Sequence, residues 1–78
     1  MITGEQLKAA RALIRWTRAR LAKASGVSHD TIRRLEQIRG QVNAQISTGT
    51  AIATALEKAG VRLIQPGSDG GAGVRLSK

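Results

Sequence analysis

Residues Arg18 to Gln37 read RARLAKASGVSHDTIRRLEQ, and this stretch decides the fold. Its apolar residues recur at helical spacing and predict the inner face of two short helices joined by a tight turn. Gly26 lies at the turn, where a glycine can take the left-handed conformation that ends one helix and lets the chain reverse. Ser28 is a favourable N-cap for the helix that follows. The inward residues are Leu21, Val27, Ile32 and Leu35.

The spacing within this stretch matches a helix-turn-helix motif. Counting Arg18 as the first position, the motif requires apolar residues at the fourth, tenth, fifteenth and eighteenth positions, a small residue at the fifth and glycine at the ninth. Thr17 and Ser28 supply N-caps for the two helices. The second of the two helices of the motif, about 28–37, carries Arg33 and Arg34, a combination that points to DNA. The six required positions are filled by Leu21, Ala22, Gly26, Val27, Ile32 and Leu35.

The charge of the chain supports a polyanionic partner. Thirteen Lys and Arg against five Asp and Glu give a net charge of +8 and a pI of about 11.7. Such a field attracts nucleic acid and speeds encounter with it. The alternatives are a basic surface that only aids solubility, and a membrane-surface helix, which a single aromatic residue disfavours. Much of the excess lies around the motif, in Lys8, Arg11, Arg15, Arg18, Arg20, Lys23, Arg33, Arg34 and Arg39.

Composition disfavours several other classes. The chain has no cysteine, so disulfides and thiolate zinc sites are excluded. One histidine and five scattered carboxylates disfavour a metal site or a hydrolytic centre. The N-terminus has no signal-peptide pattern, and no apolar run approaches the roughly 20 residues of a membrane span. We therefore expect a cytoplasmic protein, nucleoid-associated when bound to DNA, that is not an enzyme and has no cofactor and no membrane partner.

Helical patterns extend to both sides of the motif. Thr3 and Gln6 form a capping box that begins a first helix, from Gly4 to about Arg15. The second helix is expected from Arg18 to about Ala24 and the third from His29 to about Gln37, with Gly40 ending it. The residues expected to face inward from the first helix are Leu7, Ala10, Leu13 and Ile14, and Trp16 is expected to plug the core after it.

The fourth helix and the tail are defined by turn chemistry. The fourth helix starts either at Asn43 or later, capped by Ser47 or Thr48, and we favour the late start; Gly60 ends it. Two β-prone runs, 61–64 and 74–76, flank a stretch of Gly, Pro, Ser and Asp, which predicts a β-hairpin with a long flexible loop. The alternative is a disordered glycine-rich tail after one strand.

These patterns predict a mainly α fold: a compact helix-turn-helix bundle of four to five helices with a short C-terminal β-hairpin or strand. They divide the chain into a DNA-binding domain, 1–60, and a β-prone tail, 61–78, that we expect to mediate dimerisation.

The stretch WTRARLAKASGVSHDTIRRLE, residues 16–36, resembles the Cro and phage-repressor family, also called the xenobiotic-response-element family. The similarity covers roughly Thr3 to Gly60. It implies a bundle of four or five helices, operator binding as a homodimer and control of transcription. Two features depart from the family pattern. The connection after Glu36 is longer and more polar, and the tail replaces the usual final helix, although Cro-type members dimerise through a similar closing β-segment.

The resemblance implies that the third helix lies in the major groove, with base-reading positions at His29, Asp30 and Arg34. Arg34 suits the N7 and O6 acceptors of guanine, and Asp30 can accept from the amino group of cytosine. The alternative for Asp30 is a helix N-terminal charge or an ion pair with Arg33 or Arg34. Glu36 is expected to pair with a nearby arginine. Phosphate contacts are expected for Arg18, Ser28, Thr31, Arg33 and Arg39.

The resulting expectation is a regulator, most simply a repressor, that binds a palindromic double-stranded operator as a homodimer. For Lys8, Arg11 and Arg15 we expect a contribution to the long-range field instead of direct contacts. Within the same class, an antitoxin that regulates its own operon, with the tail as a surface for its toxin, or a recombination-directionality factor fits the same residues. An alternative of another class is a protein-interaction adaptor that keeps the fold without reading DNA.

Overall fold

The computed structural model describes residues 2–39 and 45–77. Four helices, α1 (Gly4–Ile14), α2 (Arg18–Ser25), α3 (His29–Glu36) and α4 (Ile46–Lys58), are followed by two strands, β1 (Val61–Ile64) and β2 (Gly73–Leu76). The mainly α bundle with a short C-terminal hairpin is therefore confirmed. None of the helices in these two ranges is long and apolar enough to cross a membrane.

The first three helices begin at the predicted caps. The backbone N–H of Gln6 donates to Thr3 Oγ1 and the N–H of Thr3 donates to Gln6 Oε1, both at 2.9 Å, which completes the capping box. Thr17 caps α2, and Ser28 caps α3 by accepting from the N–H of Thr31 at 3.2 Å. Gly26 has φ 77°, the left-handed conformation expected of it. These short-range hydrogen bonds satisfy backbone N–H groups that the first turn of a helix otherwise leaves unpaired.

The start of α4 differs from the prediction. The helix begins at Ile46, earlier than a cap at Ser47 or Thr48 allows, and its N-cap is Gln45, whose side chain makes no capping hydrogen bond. The carbonyl of Gln45 instead accepts from the backbone N–H groups of Thr48 and Gly49, which is enough to start the helix. The alternative start at Asn43, and the expected helix end at Gly40, lie outside the described residues.

Two expectations about α1 and the turn after it are also corrected. Leu13 is 41% exposed, because it lies about 100° around the helix from Ile14, which packs against the core. Trp16 is half-buried and packs on the edge of the core, with the guanidinium of Arg20 4.8 Å from the centre of its ring. The tryptophan therefore covers the core from outside, under a cation, and does not plug it.

The hairpin belongs to the same core as the helices. Its antiparallel register places Val61 opposite Leu76 and Leu63 opposite Val74. Val61, Leu63 and Val74 belong to the core or pack against it, whereas Leu76 is 47% exposed. Val61 is fully buried. The connecting loop folds back on itself through paired hydrogen bonds between Gly67 and Gly70. The hairpin interpretation of the tail is confirmed. The buried apolar residues are Ile2, Leu7, Ala10, Leu21, Ile32, Leu35, Ile52, Ala55, Leu56 and Val61.

Gln6 joins α1 to the hairpin. Its side chain is 2% exposed, and its Nε2 donates to the carbonyl oxygens of Ile64 at 2.8 Å and Gly73 at 3.0 Å. Its Oε1 is already bound by the N–H of Thr3. One buried amide thus caps a helix and satisfies the ends of both strands, so the tail is attached by specific hydrogen bonds as well as by apolar contact.

Candidate nucleic-acid interface

The helix α3 has two chemically different sides. Ile32 and Leu35 are fully buried, and Glu36 beside them is 8% exposed. The opposite side, which we call the outer face of α3, is exposed throughout. The helix is therefore amphipathic, with its apolar side fixed against α1 and α2 and its polar side free to meet a ligand. The outer face consists of His29, Asp30, Arg33, Arg34 and Gln37.

The outer face brings together the three predicted base-reading residues. His29 and Asp30 occupy the first turn of α3 and Arg34 follows one turn later, so all three project from the same stretch of surface. Asp30 accepts from Arg33 Nη2 at 3.3 Å, in an ion pair whose side chains are 87% and 55% exposed. None of the ion pairs among the described residues includes Arg34.

The hydroxyl groups at the start of α3 are engaged with each other. Ser28 Oγ accepts from the N–H of Thr31 and donates to Thr31 Oγ1 at 2.8 Å. The hydroxyl of Thr31 therefore keeps its own proton for a second acceptor. This N-terminus carries free N–H groups and the positive end of the helix dipole, a combination that suits an anionic oxygen. Arg39, which follows α3, is exposed.

The inner end of α3 is held by a buried charged cluster. Arg11, on α1, binds Glu36 bidentately through one edge of its guanidinium group: Nε donates to Oε2 at 2.5 Å and Nη2 donates to Oε1 at 2.9 Å. Arg11 Nη1 also donates to the carbonyl of Trp16 at 2.8 Å. Arg18, on α2, donates from Nε to Glu36 Oε1 at 2.9 Å. One carboxylate thus ties three helices together, so the expectation that Glu36 pairs with a nearby arginine is confirmed.

Burial by itself raises the pKa of the Glu36 carboxyl. The hydrogen bonds from Arg11 and Arg18, together with their positive charges, outweigh that effect, and the pKa lies below its ordinary value. The side chain is 1% exposed and ionised at neutral pH, so it depends on both arginines for compensation. Every buried side-chain N or O atom in the described part of the chain has a hydrogen-bond partner.

The cluster changes the interpretation of two basic residues. Arg11 differs from the expectation of a field-only contribution, because its side chain is 16% exposed and all three of its guanidinium nitrogens donate within the protein. Arg18, a predicted phosphate contact, is 33% exposed and uses its Nε on Glu36. The hydrogen bond from Nε fixes the orientation of the Arg18 guanidinium group. Its remaining N–H groups are left for an acceptor outside the protein.

The sequence did not identify Gly4 as a point of close approach between α1 and α3. Gly4 is buried, and a Cβ atom placed on it would lie 2.7 Å from the carbonyl oxygen of Leu35 and closer still to that of Ile38. Only glycine fits this contact. The residues that crowd Gly4 lie more than thirty positions away, and no local pattern identifies them.

The chain matches no family model, and the search of curated proteins finds no relative for it. The resemblance to Cro and phage repressors therefore depends on the motif positions of residues 16–36. Among the six motif positions, Leu21, Ile32 and Leu35 are fully buried, Ala22 and Val27 are partly buried against the core, and Gly26 is left-handed. Within residues 2–39 and 45–77, no three His, Cys, Asp or Glu side chains are grouped as a metal site requires.

Proposed function

We propose that this chain is a sequence-specific double-stranded DNA-binding regulator, acting in the cytoplasm as a repressor without catalytic activity. One observation carries the proposal: α3 exposes a polar face with Arg34 outside every described ion pair, while its other side is fixed by Glu36, Arg11 and Arg18. A ligand-binding face held rigidly by a buried network supports recognition at fixed geometry. The net charge of +8 supports an anionic ligand.

In the proposed complex α3 lies in the major groove. Arg34 donates to N7 and O6 of guanine, and His29 and Asp30 contact neighbouring base edges, with the carboxylate of Asp30 accepting from the amino group of cytosine. Phosphates are contacted by Arg18, Ser28, Thr31, Arg33 and Arg39. These contacts set the register of the helix on the duplex, while the base contacts carry the specificity.

We propose a homodimer because α3 is short. Eight residues span about 12 Å and meet only a few base pairs. Two copies related by a two-fold axis, with their α3 helices about 34 Å apart, meet adjacent major grooves on one side of the duplex and read a palindrome. The tail from residue 61 onward remains our candidate for the dimer contact, through its strand edges or the neighbouring surface of α4.

The test begins with selection of binding sites from randomised duplexes by the purified chain, followed by fluorescence anisotropy on the enriched sequence. We expect a palindrome, a dimer mass and a steep fall of log K with log salt. Arg34→Ala should reduce discrimination at one base pair per half-site by about 1–3 kcal/mol.

Arg62→Ala is the matched control, because it removes the same charge from the exposed side of the hairpin. It should keep the base preference of the wild type. Failure to enrich any sequence, together with binding that is insensitive to salt, would overturn the proposal. Equal weakening of Arg34→Ala on all sequences would reassign Arg34 to a phosphate.

A further inference from the structure

The hairpin carries an arginine pair that the proposed DNA contacts do not use. Its register places Arg62 directly opposite Arg75, both exposed, on the side of the sheet that faces away from the core. Like charges directly opposite each other destabilise a hairpin. The ion pairs found among the described residues join Arg11, Arg18 and Arg33 to acids, and none of them includes Arg62 or Arg75. Folding stability therefore gives no reason for this pair.

The next cross-strand pair on the same side adds an apolar neighbour. Ile64 lies opposite Gly73 and is 39% exposed. A Cβ atom built on Gly73 would meet nothing within 4 Å, so the space beside Ile64 is open. We call Arg62, Arg75, Ile64 and Gly73 the hairpin arginine face. It combines two guanidinium forks, which match carboxylates bidentately, with an accessible aliphatic side chain.

The hairpin arginine face points away from the outer face of α3. On α1, Gly4 and Arg11 contact α3, whereas Gln6 contacts the hairpin. At about 100° per residue, these two sets of residues lie on sides of α1 roughly 150° apart. A duplex held by α3 is therefore on the other side of α1. Two copies of the chain joined through this face would bring four arginines together, which disfavours it as the dimer contact.

From these observations we infer that the hairpin arginine face binds an acidic segment of a partner protein. Carboxylates of the segment pair with Arg62 and Arg75, and an apolar side chain covers Ile64. In an extended segment, alternate residues point to the same side. This two-residue spacing matches the spacing along the strand between the Arg62–Arg75 pair and the Ile64–Gly73 pair. This inference does not depend on DNA binding by α3. It gives a physical reason for a like-charged pair that otherwise only destabilises the hairpin.

The experiment measures binding of the full chain to a fluorescein-labelled peptide of alternating glutamate and serine with one central isoleucine. The decisive variant is Arg75→Glu, which places an acid opposite Arg62. We expect its melting temperature to rise, because the cross-strand repulsion becomes an attraction, while its affinity for the peptide falls at least tenfold. A variant that is more stable and yet does not bind cannot be explained by misfolding.

Lys8→Glu is the matched control, since it makes the same charge change at an exposed position of α1. It should change peptide affinity by less than twofold, and a peptide with glutamine in place of glutamate should not bind.

If Lys8→Glu weakens binding as much as Arg75→Glu, only overall charge is involved and the inference is overturned. It is also overturned if the peptide does not bind, or if Arg75→Glu weakens binding to a random-sequence duplex as much as to the peptide, which would assign the face to nucleic acid. If Arg75→Glu has a lower melting temperature than the wild type, the peptide affinity of Arg75→Gln is compared with that of the wild type instead.

Discussion

The inner and outer sides of α3 carry charged residues of the same types in opposite states. On the inner side the carboxylate of Glu36 is 1% exposed and is enclosed by Arg11 and Arg18 from two other helices. On the outer side Asp30 is 87% exposed and pairs with Arg33 from the same helix. The first cluster connects three elements, whereas the second connects two neighbouring turns. An ion pair of the first kind fixes a structure, and one of the second kind leaves its charges available.

The number of arginines in the chain is larger than the number available to a polyanion. Arginine is frequent in the first half of the chain, but the guanidinium group of Arg11 donates its hydrogen bonds within the protein. The guanidinium group of Arg18 donates one of its hydrogen bonds within the protein. The cations that remain for a polyanion are therefore those on the surface, such as Arg33 and Arg34. The exposure and the hydrogen-bond partners of each arginine, more than the number of arginines, decide which are available to the proposed ligand and which hold α3 in place.

The largest expected effect comes from removing one arginine from the inner side. Arg11→Ala leaves the buried carboxylate of Glu36 with only Arg18 and leaves the carbonyl of Trp16 without its donor. Breaking a buried pair from one side costs about 3–5 kcal/mol of unfolding free energy. Urea unfolding followed by far-ultraviolet circular dichroism measures the loss.

The matched variant on the outer side is Arg34→Ala, which should change the unfolding free energy by no more than about 0.5 kcal/mol, as is usual for surface substitutions. Both variants remove an arginine side chain, one from the buried cluster on the inner side of α3 and one from its outer face. A loss for Arg11→Ala as small as that expected for Arg34→Ala would show that the buried cluster does not stabilise the fold. A loss for Arg34→Ala as large as that expected for Arg11→Ala would show that the outer side also stabilises it.

A smaller effect is expected where α1 touches the C-terminal end of α3. In Gly4→Ala the added methyl overlaps the backbone carbonyls of Leu35 and Ile38, which cannot move without shifting the helix end. Overpacking of this kind costs about 1–3 kcal/mol. For a domain of this size, each kcal/mol lowers the melting temperature by about 4–8 °C, so a thermal scan detects it.

Gly49→Ala provides the control for this substitution. Gly49 lies inside α4, and a Cβ atom there meets nothing within 4 Å. Alanine at this position should stabilise the helix by up to about 1 kcal/mol. The same chemical change is therefore expected to have opposite signs at the two positions. A neutral or stabilising Gly4→Ala would mean that α3 is not held closely against α1.

Features that depend on neighbours in the sequence were predictable. The caps at Thr3, Thr17 and Ser28 act over three residues, and the left-handed turn at Gly26 needs only its own backbone. The outer face of α3 follows from helical period, because burial of Ile32 places Arg33 and Arg34 outside. The hairpin was predictable from turn chemistry between two β-prone runs.

Features that depend on distant partners were not predictable. The contact of Gly4 with Leu35, the ties from Gln6 to both strands and the choice of Arg11 as the main partner of Glu36 join residues 25 or more positions apart. Local patterns do not identify which individual residues meet when two distant elements pack together. The start of α4 was missed for the opposite reason: its first turn has neither a capping side chain nor a buried residue, so nothing local marks it.

The finest test of the contrast is the pH dependence of stability. Burial raises the pKa of Glu36, but the hydrogen bonds and charges of Arg11 and Arg18 lower it further, so the folded protein has the lower pKa. The unfolded chain then binds more protons, and stability rises with pH across the interval between the two pKa values. The contribution of Glu36 is complete above the unfolded pKa of about 4.3 and disappears as pH falls through the folded pKa.

Glu36→Gln should remove this contribution, because the amide keeps the shape of the side chain without titrating. Urea unfolding at successive pH values below about 4.3 should show a shallower slope, the difference being at most one proton or about 1.4 kcal/mol per pH unit. Asp30→Asn is the outer-side control. Its carboxylate is exposed and forms only a helix-surface pair worth a few tenths of a kcal/mol, so the slope should stay close to that of the wild type. If Asp30→Asn, and not Glu36→Gln, gave the shallower slope, Asp30 would carry the stabilising charge. Acid destabilises a protein through a carboxylate only when folding favours the ionised form of that carboxylate.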